Sequence, residues 1–293
     1  MIILNEKEFA ESCINNGQIV GKPFFTLSIL AKYYYHHLGY RKKKITSLLI
    51  DFMAQNYPHY ENNKLDWNSN IERIANNAGK YTLYEIDGVW ITQSEIDTIT
   101  NIHNKVLERL IFTFLCLAKL GNIKNDQNNG WVNVGDKEIF TLARITCNLQ
   151  DRDIKIGKLR KLGLLELPKR NDNLSCRVTF VNDESEKVFQ VCDFRELGYE
   201  YLKYKGENYI RCSECGILTK GNKNGTKKYC SSCVQYEPIK NKTIICITCG
   251  NTWEVNTKNN QSKRCPHCYN EYRKNQKLEM QRIRRLKMKS EQF

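Results

Sequence analysis

Four Cys-x-x-Cys pairs near the carboxyl end constrain this chain more than any other feature of its sequence. They use eight of the 13 cysteines: Cys212 and Cys215, Cys230 and Cys233, Cys246 and Cys249, and Cys265 and Cys268. Fourteen residues separate the first two pairs, and 15 separate the last two. A two-residue spacing lets both thiolates of one tight turn reach a single ion, and two such turns complete a tetrahedron of ligands. The pattern therefore predicts two four-cysteine metal sites.

We expect the ions to be two structural zinc ions. A closed site of four thiolates leaves no open position for substrate, whereas catalytic zinc keeps one. Iron–sulfur clusters have less symmetric cysteine spacings. His267 lies inside the last pair and would be a fifth ligand, so we interpret it as an outer-shell or surface residue. The five remaining cysteines are scattered singly, which is typical of small buried side chains.

The cysteine segment resembles zinc ribbons and treble-clef fingers. Residues 249–255 resemble a knuckle and its first strand, and Cys265-Pro266-His267-Cys268 resembles the ligand pair that opens the terminal helix of a treble clef. Ribbons share this spacing, so both variants remain open. Treble-clef nucleases need catalytic histidines nearby, and only His267 is present, which argues against a nuclease.

Residues 101–182 follow an order that resembles a winged helix-turn-helix. An apolar helix over 106–120 precedes a short strand at 131–134, a helix around Phe140, a helix over 150–162, and two extended runs at 164–167 and 175–181. The resemblance implies that the helix over 150–162 enters the major groove of DNA. Its predicted contact residues are Gln150, Lys158, Arg160 and Lys161, with Lys169 and Arg170 at the tip of the wing.

The residues of the helix over 150–162 do not decide between DNA and protein as its partner. Ile156, Leu159 and Leu162 are predicted to face the core, whereas Ile154 faces outward with the polar residues. An outward apolar side chain suits a thymine methyl or a protein surface. Many winged helices bind only protein, so we keep DNA and protein as alternatives for this region.

The terminal segment is predicted to form a basic amphipathic helix. An apolar stripe of Tyr269, Tyr272, Met280, Ile283 and Leu286 falls on one side at helical spacing. The cations predicted to contact phosphate are Arg273, Lys274, Lys277, Arg282, Arg284, Arg285, Lys287 and Lys289. Such a helix suits phosphate, a partner groove, a membrane surface or a solvated tail. Lys287 interrupts the narrow apolar stripe, which disfavours a membrane.

Positive charge remains after the metal sites are counted. Residues 206–293 hold 18 Lys and Arg against seven Glu. Each zinc ion with four thiolates carries a net charge of −2, so this surplus falls to about +7 and that of the whole chain from +14 to about +10. The positive balance suits a nucleic-acid partner. With the winged-helix resemblance we expect DNA, and RNA, a ribonucleoprotein or a host protein are the alternatives.

The remaining organisation follows from helical periodicity and loops. Helices are predicted near 25–38, 42–55 and 66–80, and a Thr92-x-x-Glu95 capping box opens another. The predicted fold class is mainly α with small β elements. The predicted segments are a helical domain 1–100, the winged-helix-like domain 101–182, a connector 183–205, zinc finger 1 at 206–240, zinc finger 2 at 241–272 and the basic tail 273–293.

Several functional classes do not fit the sequence. The longest uncharged apolar run, Leu110–Ala118, is far shorter than the ~20 residues that cross a bilayer. The amino terminus lacks the features of a signal peptide. No phosphate-binding loop, His-Glu-x-x-His or Gly-x-Ser-x-Gly motif occurs. We therefore expect a non-enzymatic, cytoplasmic protein.

The whole layout resembles uncharacterised proteins of phages and mobile elements in low-GC Gram-positive bacteria. The matching stretches are residues 39–44, the winged-helix region and Tyr209–Gly216. The resemblance implies a mobile-element context and supplies no activity. Our leading hypothesis is a regulator or replication accessory that binds DNA. The alternative is a phage-encoded counter-defence inhibitor, similar to an anti-CRISPR protein, that binds a host protein or ribonucleoprotein.

Overall fold

A computed structural model describes residues 2–168, 175–234, 241–256 and 263–290, and in it the chain is mainly helical with small sheets, as the sequence predicts. The described residues form ten α-helices and nine short strands. The chain divides into two compact units, residues 1–233 and residues 234–293. Within the described ranges, no helix is both long and apolar enough to cross a membrane.

Four helices enclose the first hydrophobic core of the larger unit. They are α1 (Glu6–Asn16), α2 (Pro23–His36), α3 (Lys42–Asn56) and α4 (Lys64–Asn77). The last three confirm the predicted helices. The sequence analysis did not identify α1, although Asn5 caps it by accepting the Glu8 N–H at 3.0 Å and Gly17 ends it at φ 58°.

The second core surrounds one long helix. The helices of this core are α5 (Gln93–Thr100), α6 (Lys105–Lys124), α7 (Asp136–Leu142), α8 (Leu149–Lys161) and α9 (Leu197–Tyr204). Every residue of α6 from Leu110 to Leu120 is buried, because other elements pack around the helix. The capping box that opens α5 is confirmed, and the Glu95 carboxylate accepts the Thr92 N–H at 2.9 Å.

A three-stranded antiparallel sheet is formed by one strand between α6 and α7 and two strands after α8. Its strands are β2 (Trp131–Val132), β3 (Leu165–Glu166) and β4 (Cys176–Val178), in the order β2-β4-β3. Trp131 lies opposite Arg177, and Leu165 lies opposite Val178. All three strands lie inside the extended runs predicted from the sequence, but they are shorter. Lys169 and Arg170, predicted at the tip of the wing, lie outside the described residues.

Strands β1 (Val89–Thr92) and β5 (Lys187–Val191) form a two-stranded antiparallel sheet that the sequence did not predict. Beside this sheet, Lys119 of α6 lies 2.8 Å from the Glu95 carboxylate, and both side chains are buried. The Asn182 N–H donates to the same carboxylate at 2.9 Å. These contacts fix residues 182–191 against the second core.

The prediction is wrong for one of the core residues assigned to α8. Leu162 is 54% exposed, because the helix ends at Lys161 and Gly163 turns the chain at φ 73°. Leu165, just beyond the turn, is buried instead. Of the scattered cysteines, Cys192 is exposed, contrary to its predicted burial.

Each group of paired cysteines includes a β-hairpin. In the larger unit the strands are β6 (Tyr209–Arg211) and β7 (Leu218–Lys220). In the smaller unit they are β8 (Asn241–Ile245) and β9 (Thr252–Asn256), and α10 (Pro266–Ser290) follows. The last cysteine pair therefore opens a helix, as the sequence predicts.

Candidate metal centres

The first tetrad consists of Cys212, Cys215, Cys230 and Cys233, whose sulfur atoms all lie within 4.8 Å of one another. Its first pair sits on the turn between β6 and β7. There the Gly216 N–H donates to the Cys212 carbonyl at 2.9 Å, and Gly216 has φ 68°. Ser213 N–H donates to the Lys228 carbonyl at 2.9 Å, which holds the turn beside the second pair.

The second tetrad consists of Cys246, Cys249, Cys265 and Cys268, and its sulfur atoms also lie within 4.8 Å of one another. The bonds of the first turn recur here. Gly250 N–H donates to the Cys246 carbonyl at 2.9 Å, and Ile247 N–H donates to the Lys263 carbonyl at 3.0 Å. The last pair differs, because Cys268 lies in the first turn of α10.

Both tetrads fit a tetrahedral metal ion. A metal–sulfur bond of ~2.3 Å in a tetrahedron places the sulfur atoms ~3.8 Å apart. The distance from Cys215 Sγ to Cys230 Sγ is 3.7 Å, and that from Cys249 Sγ to Cys265 Sγ is 3.9 Å. A disulfide would need about 2.05 Å. Each tetrad can therefore hold one metal ion.

Backbone hydrogen bonds lower the pKa of one cysteine in each tetrad. Hydrogen bonding from the Cys215 backbone lowers the pKa of Cys212 to about 6, and the Cys265 backbone lowers the pKa of Cys246 to about 6. Contacts with other sulfur atoms of the same tetrad raise the pKa values of Cys233 and Cys268 to about 12. Four adjacent thiolates repel one another, so a bound cation would favour the fully deprotonated ligand set.

An arginine from outside the first tetrad contacts its first turn. Arg195 Nη1 donates to the Cys215 carbonyl at 3.0 Å, and its Nη2 lies 2.8 Å from the Asp193 carboxylate. Burial would raise the pKa of Asp193, but hydrogen bonds and charge from Arg195 lower it on balance. On β6, Arg211 pairs with Glu200 of α9 at 2.6 Å. The first tetrad is thus anchored to the larger unit.

The second tetrad has its own arginine contact within the smaller unit. Arg264 Nε donates to the Thr248 hydroxyl at 3.2 Å, and the guanidinium lies 4.1 Å from the centre of the Tyr272 ring on α10. His267 is exposed and does not belong to the group of four possible ligands. The sequence analysis missed Arg195 and Arg264, because their role depends on side-chain contacts rather than on a motif.

The predicted contact residues of α8 lie on its surface. Gln150, Lys158, Arg160 and Lys161 are all exposed, and the Asn148 side chain caps the helix by accepting the Asp151 N–H at 2.8 Å. Ile154, predicted to face outward, is 54% exposed. These positions make the residues accessible and do not identify what they bind.

The cations of α10 are equally accessible where they are described. Arg273, Lys274, Lys277, Arg282 and Arg284 are exposed. Arg285, Lys287 and Lys289 lie on the helical backbone, but their side chains are outside the described part of the structure. Of the predicted apolar stripe, four residues are exposed as well: Tyr269, Tyr272, Met280 and Ile283. The side chain of the fifth, Leu286, lies outside the described part of the structure.

Comparison with known proteins gives no match to this chain, whether with family models, with curated proteins or with solved structures.

Proposed function

We propose that this protein is a non-enzymatic, zinc-dependent nucleic-acid-binding protein that acts on duplex DNA. The observation that carries the proposal is the continuity of the second tetrad with α10. Cys268 lies in the first turn of that helix, and the following turns expose five cations. An ion bound at the tetrad would therefore fix the start of a basic helix, and a basic helix suits phosphate contact.

Zinc is the ion that best suits the two tetrads. Four thiolates in a tetrahedral arrangement are typical ligands of structural zinc, and the sulfur separations agree with its bond length. The separate, symmetric tetrads do not match the usual cysteine spacings of iron–sulfur clusters. We accordingly propose two zinc ions per chain and one zinc finger around each of them.

The region around α8 supports the proposal of a winged helix. Helices α6, α7 and α8 are followed by β3 and β4, and β2 completes the small sheet. In this interpretation α8 is the recognition helix and exposes Gln150, Lys158, Arg160 and Lys161 to the DNA. The cations of α10 add phosphate contacts at a second place.

The biological setting that we propose rests on the resemblance described for the sequence. It is the cytoplasm of a bacterial cell that carries a phage or another mobile element, and the role is that of a regulator or replication accessory. RNA is a less suitable partner for α10, because the deep and narrow major groove of A-form RNA does not admit a helix.

The salt dependence of DNA binding tests the proposal. Charge reversal of Arg282, Arg284, Arg285 and Lys289 to Glu leaves the apolar residues of α10 unchanged. Each of these cations that contacts a phosphate flattens the slope of log K against log salt by at least about 0.9 when it is reversed, and all four together flatten it by about 3.6. The matched control reverses the exposed cluster Arg41–Lys44 at the start of α3, which changes the net charge equally.

An unchanged slope after reversal in α10, or an equal change in the control, would refute a phosphate-binding role for this helix. The measurement is fluorescence anisotropy of a labelled duplex at five salt concentrations, with zinc content checked in each variant.

One observation favours the second candidate, an inhibitor that binds a host protein. Leu149, Ile154 and Leu162 at α8 are 65%, 54% and 54% exposed, and such apolar side chains suit a protein surface. A pull-down from host lysate, with and without nuclease, separates the candidates. A protein partner that survives nuclease supports the inhibitor, whereas recovery of DNA alone supports the regulator.

A further inference from the structure

Two glutamines share one side of α10 with three of its cations. The side chains that lie together along this side, which we call the reading stripe, are Arg273, Gln276, Lys277, Met280, Gln281 and Arg284. Their positions follow the repeat of one helix face, and all six are exposed. A glutamine amide can donate to a phosphate oxygen, but only a base edge offers both a donor and an acceptor to match the two ends of the amide.

The acidic residues of α10 lie elsewhere on the helix. At 100° per residue, Glu271 and Glu279 project about 130° or more from the centre of the reading stripe. Glu279 lies 3.7 Å from Arg282, which is also outside the stripe. The stripe is therefore uniformly neutral or positive, as a surface facing DNA must be.

A chain of contacts runs from the second tetrad to Gln276. Thr248 lies between Cys246 and Cys249 and accepts a hydrogen bond from Arg264. Arg264 packs on the ring of Tyr272, and the Tyr272 hydroxyl accepts a hydrogen bond from Gln276 Nε2 at 2.6 Å. One amide hydrogen of Gln276 is used in this way. This bond favours one orientation of the amide and leaves its second hydrogen and its Oε1 atom for another partner.

Those two groups match one base. Adenine presents the N7 acceptor and the N6 donor in the major groove, and a glutamine amide can bond both. The major groove is ~12 Å wide and admits an α-helix. From Arg273 to Arg284 the stripe extends ~17 Å along the helix, which is about five base pairs of duplex DNA.

We propose that α10 reads base edges in the major groove, with Gln276 as a residue that selects adenine and Tyr272 as the residue that positions it. This inference rests on the proposed function and sharpens it. The sequence predicts only phosphate contacts for α10 and assigns base contacts to α8. With the reading stripe, α10 contributes sequence selectivity in addition to that proposed for α8.

Selection of binding sites from a random duplex library tests the inference with the full chain loaded with zinc. A second duplex is then made in which the selected adenine is replaced by another base. The affinities of the wild type, Gln276→Ala and Tyr272→Phe for the two duplexes are compared. We expect Gln276→Ala to lose about 5- to 150-fold of the discrimination between them. Tyr272→Phe keeps the ring against Arg264 but removes the hydroxyl, so we expect a smaller loss of discrimination with affinity for the replaced duplex unchanged.

Asn275→Ala is the matched control. Asn275 is an exposed amide on the opposite side of the same helix, and its replacement leaves the charge unchanged. We expect it to keep wild-type discrimination. Equal discrimination in the wild type and Gln276→Ala, or an equal loss in Asn275→Ala, would overturn the inference while leaving DNA binding intact. If the wild type binds no duplex, the proposed function fails and the inference fails with it.

Discussion

The first turns of the two tetrads have the same conformation, but the contacts that hold the tetrads in place differ. In both, a glycine with positive φ donates its N–H to the carbonyl of the first cysteine. The first tetrad is contacted by Arg195 from outside its hairpin, and β6 is paired to α9 through Arg211 and Glu200. The second tetrad lies in a unit that consists mainly of its own hairpin and α10.

This difference separates local from long-range determinants of structure. A Cys-x-x-Cys-Gly turn is determined by five consecutive residues, so the same turn forms twice in different surroundings. The anchoring of the turn depends on residues far along the chain, such as Asp193 and Arg195. We therefore expect the second tetrad to depend on its metal ion more than the first one does.

The largest expected effect comes from removing one ligand in each tetrad. Cys212→Ser and Cys246→Ser should each lower the metal content from two ions to one, because three thiolates hold zinc poorly. Structural zinc contributes ~10–16 kcal/mol to local folding, which exceeds what the hairpin β8–β9 gains from its few apolar contacts. We expect Cys246→Ser to abolish amide protection in β8–β9, whereas Cys212→Ser leaves partial protection in β6–β7.

Elemental analysis and hydrogen exchange measure the two quantities. The partial protection in Cys212→Ser is expected because Leu218 of β7 is buried and Arg211 remains paired with Glu200. Equal loss of protection in the two hairpins would contradict the expected difference between the two tetrads.

The anchoring arginine gives the next largest effect. Arg195→Ala removes the bond to the Cys215 carbonyl and the guanidinium beside the largely buried Asp193, which keeps the backbone N–H of residue 195 at 2.9 Å and Arg211 at 3.6 Å. Because Arg195 is 41% exposed, solvent screens part of the loss, and we expect destabilisation of about 1–2 kcal/mol in thermal unfolding of the larger unit. Protection in β6–β7 should fall, and protection in β8–β9 should stay unchanged.

Arg177→Ala is a matched control for that variant. Arg177 is 42% exposed and also contacts one carbonyl and one carboxylate, but its partner Glu166 is 55% exposed. We expect a loss below about 0.5 kcal/mol, which is typical of a surface pair. A loss as large as that of Arg195→Ala would mean that the burial of Asp193 does not matter.

The sequence predicted local features well. The two tetrads, the helix that starts at the last cysteine pair, the capping box of Thr92 and Glu95, and most helices follow from short patterns of residue types. These patterns act over one or two turns of chain. For this reason these features can be predicted without knowledge of the fold.

The features that the sequence did not predict depend on distant residues. Strand β5 pairs with β1 across nearly a hundred residues, and neither strand has a strong alternating pattern. Leu162 is a local exception: helical periodicity predicts it in the core, but α8 ends at Lys161 and the chain turns at Gly163. The hydrogen bond from Gln276 to Tyr272 depends on side-chain conformation, which no sequence motif encodes.

The smallest expected effect concerns the arginine of the second tetrad. Arg264→Ala removes the contact with Tyr272 and the bond to Thr248, and a cation–π contact at such a site contributes about 0.5–1 kcal/mol. Amide protection in β8–β9 should therefore fall about two- to five-fold, and β6–β7 should keep its protection. Lys263→Ala is the control, since it removes a neighbouring charge but keeps the bond from Ile247 to the backbone of residue 263. Arg264→Ala could instead lower protection in β8–β9 as much as Arg195→Ala lowers it in β6–β7. Side chains would then hold the second tetrad as firmly as the first, and the expectation that the second tetrad depends more on its metal ion would be wrong.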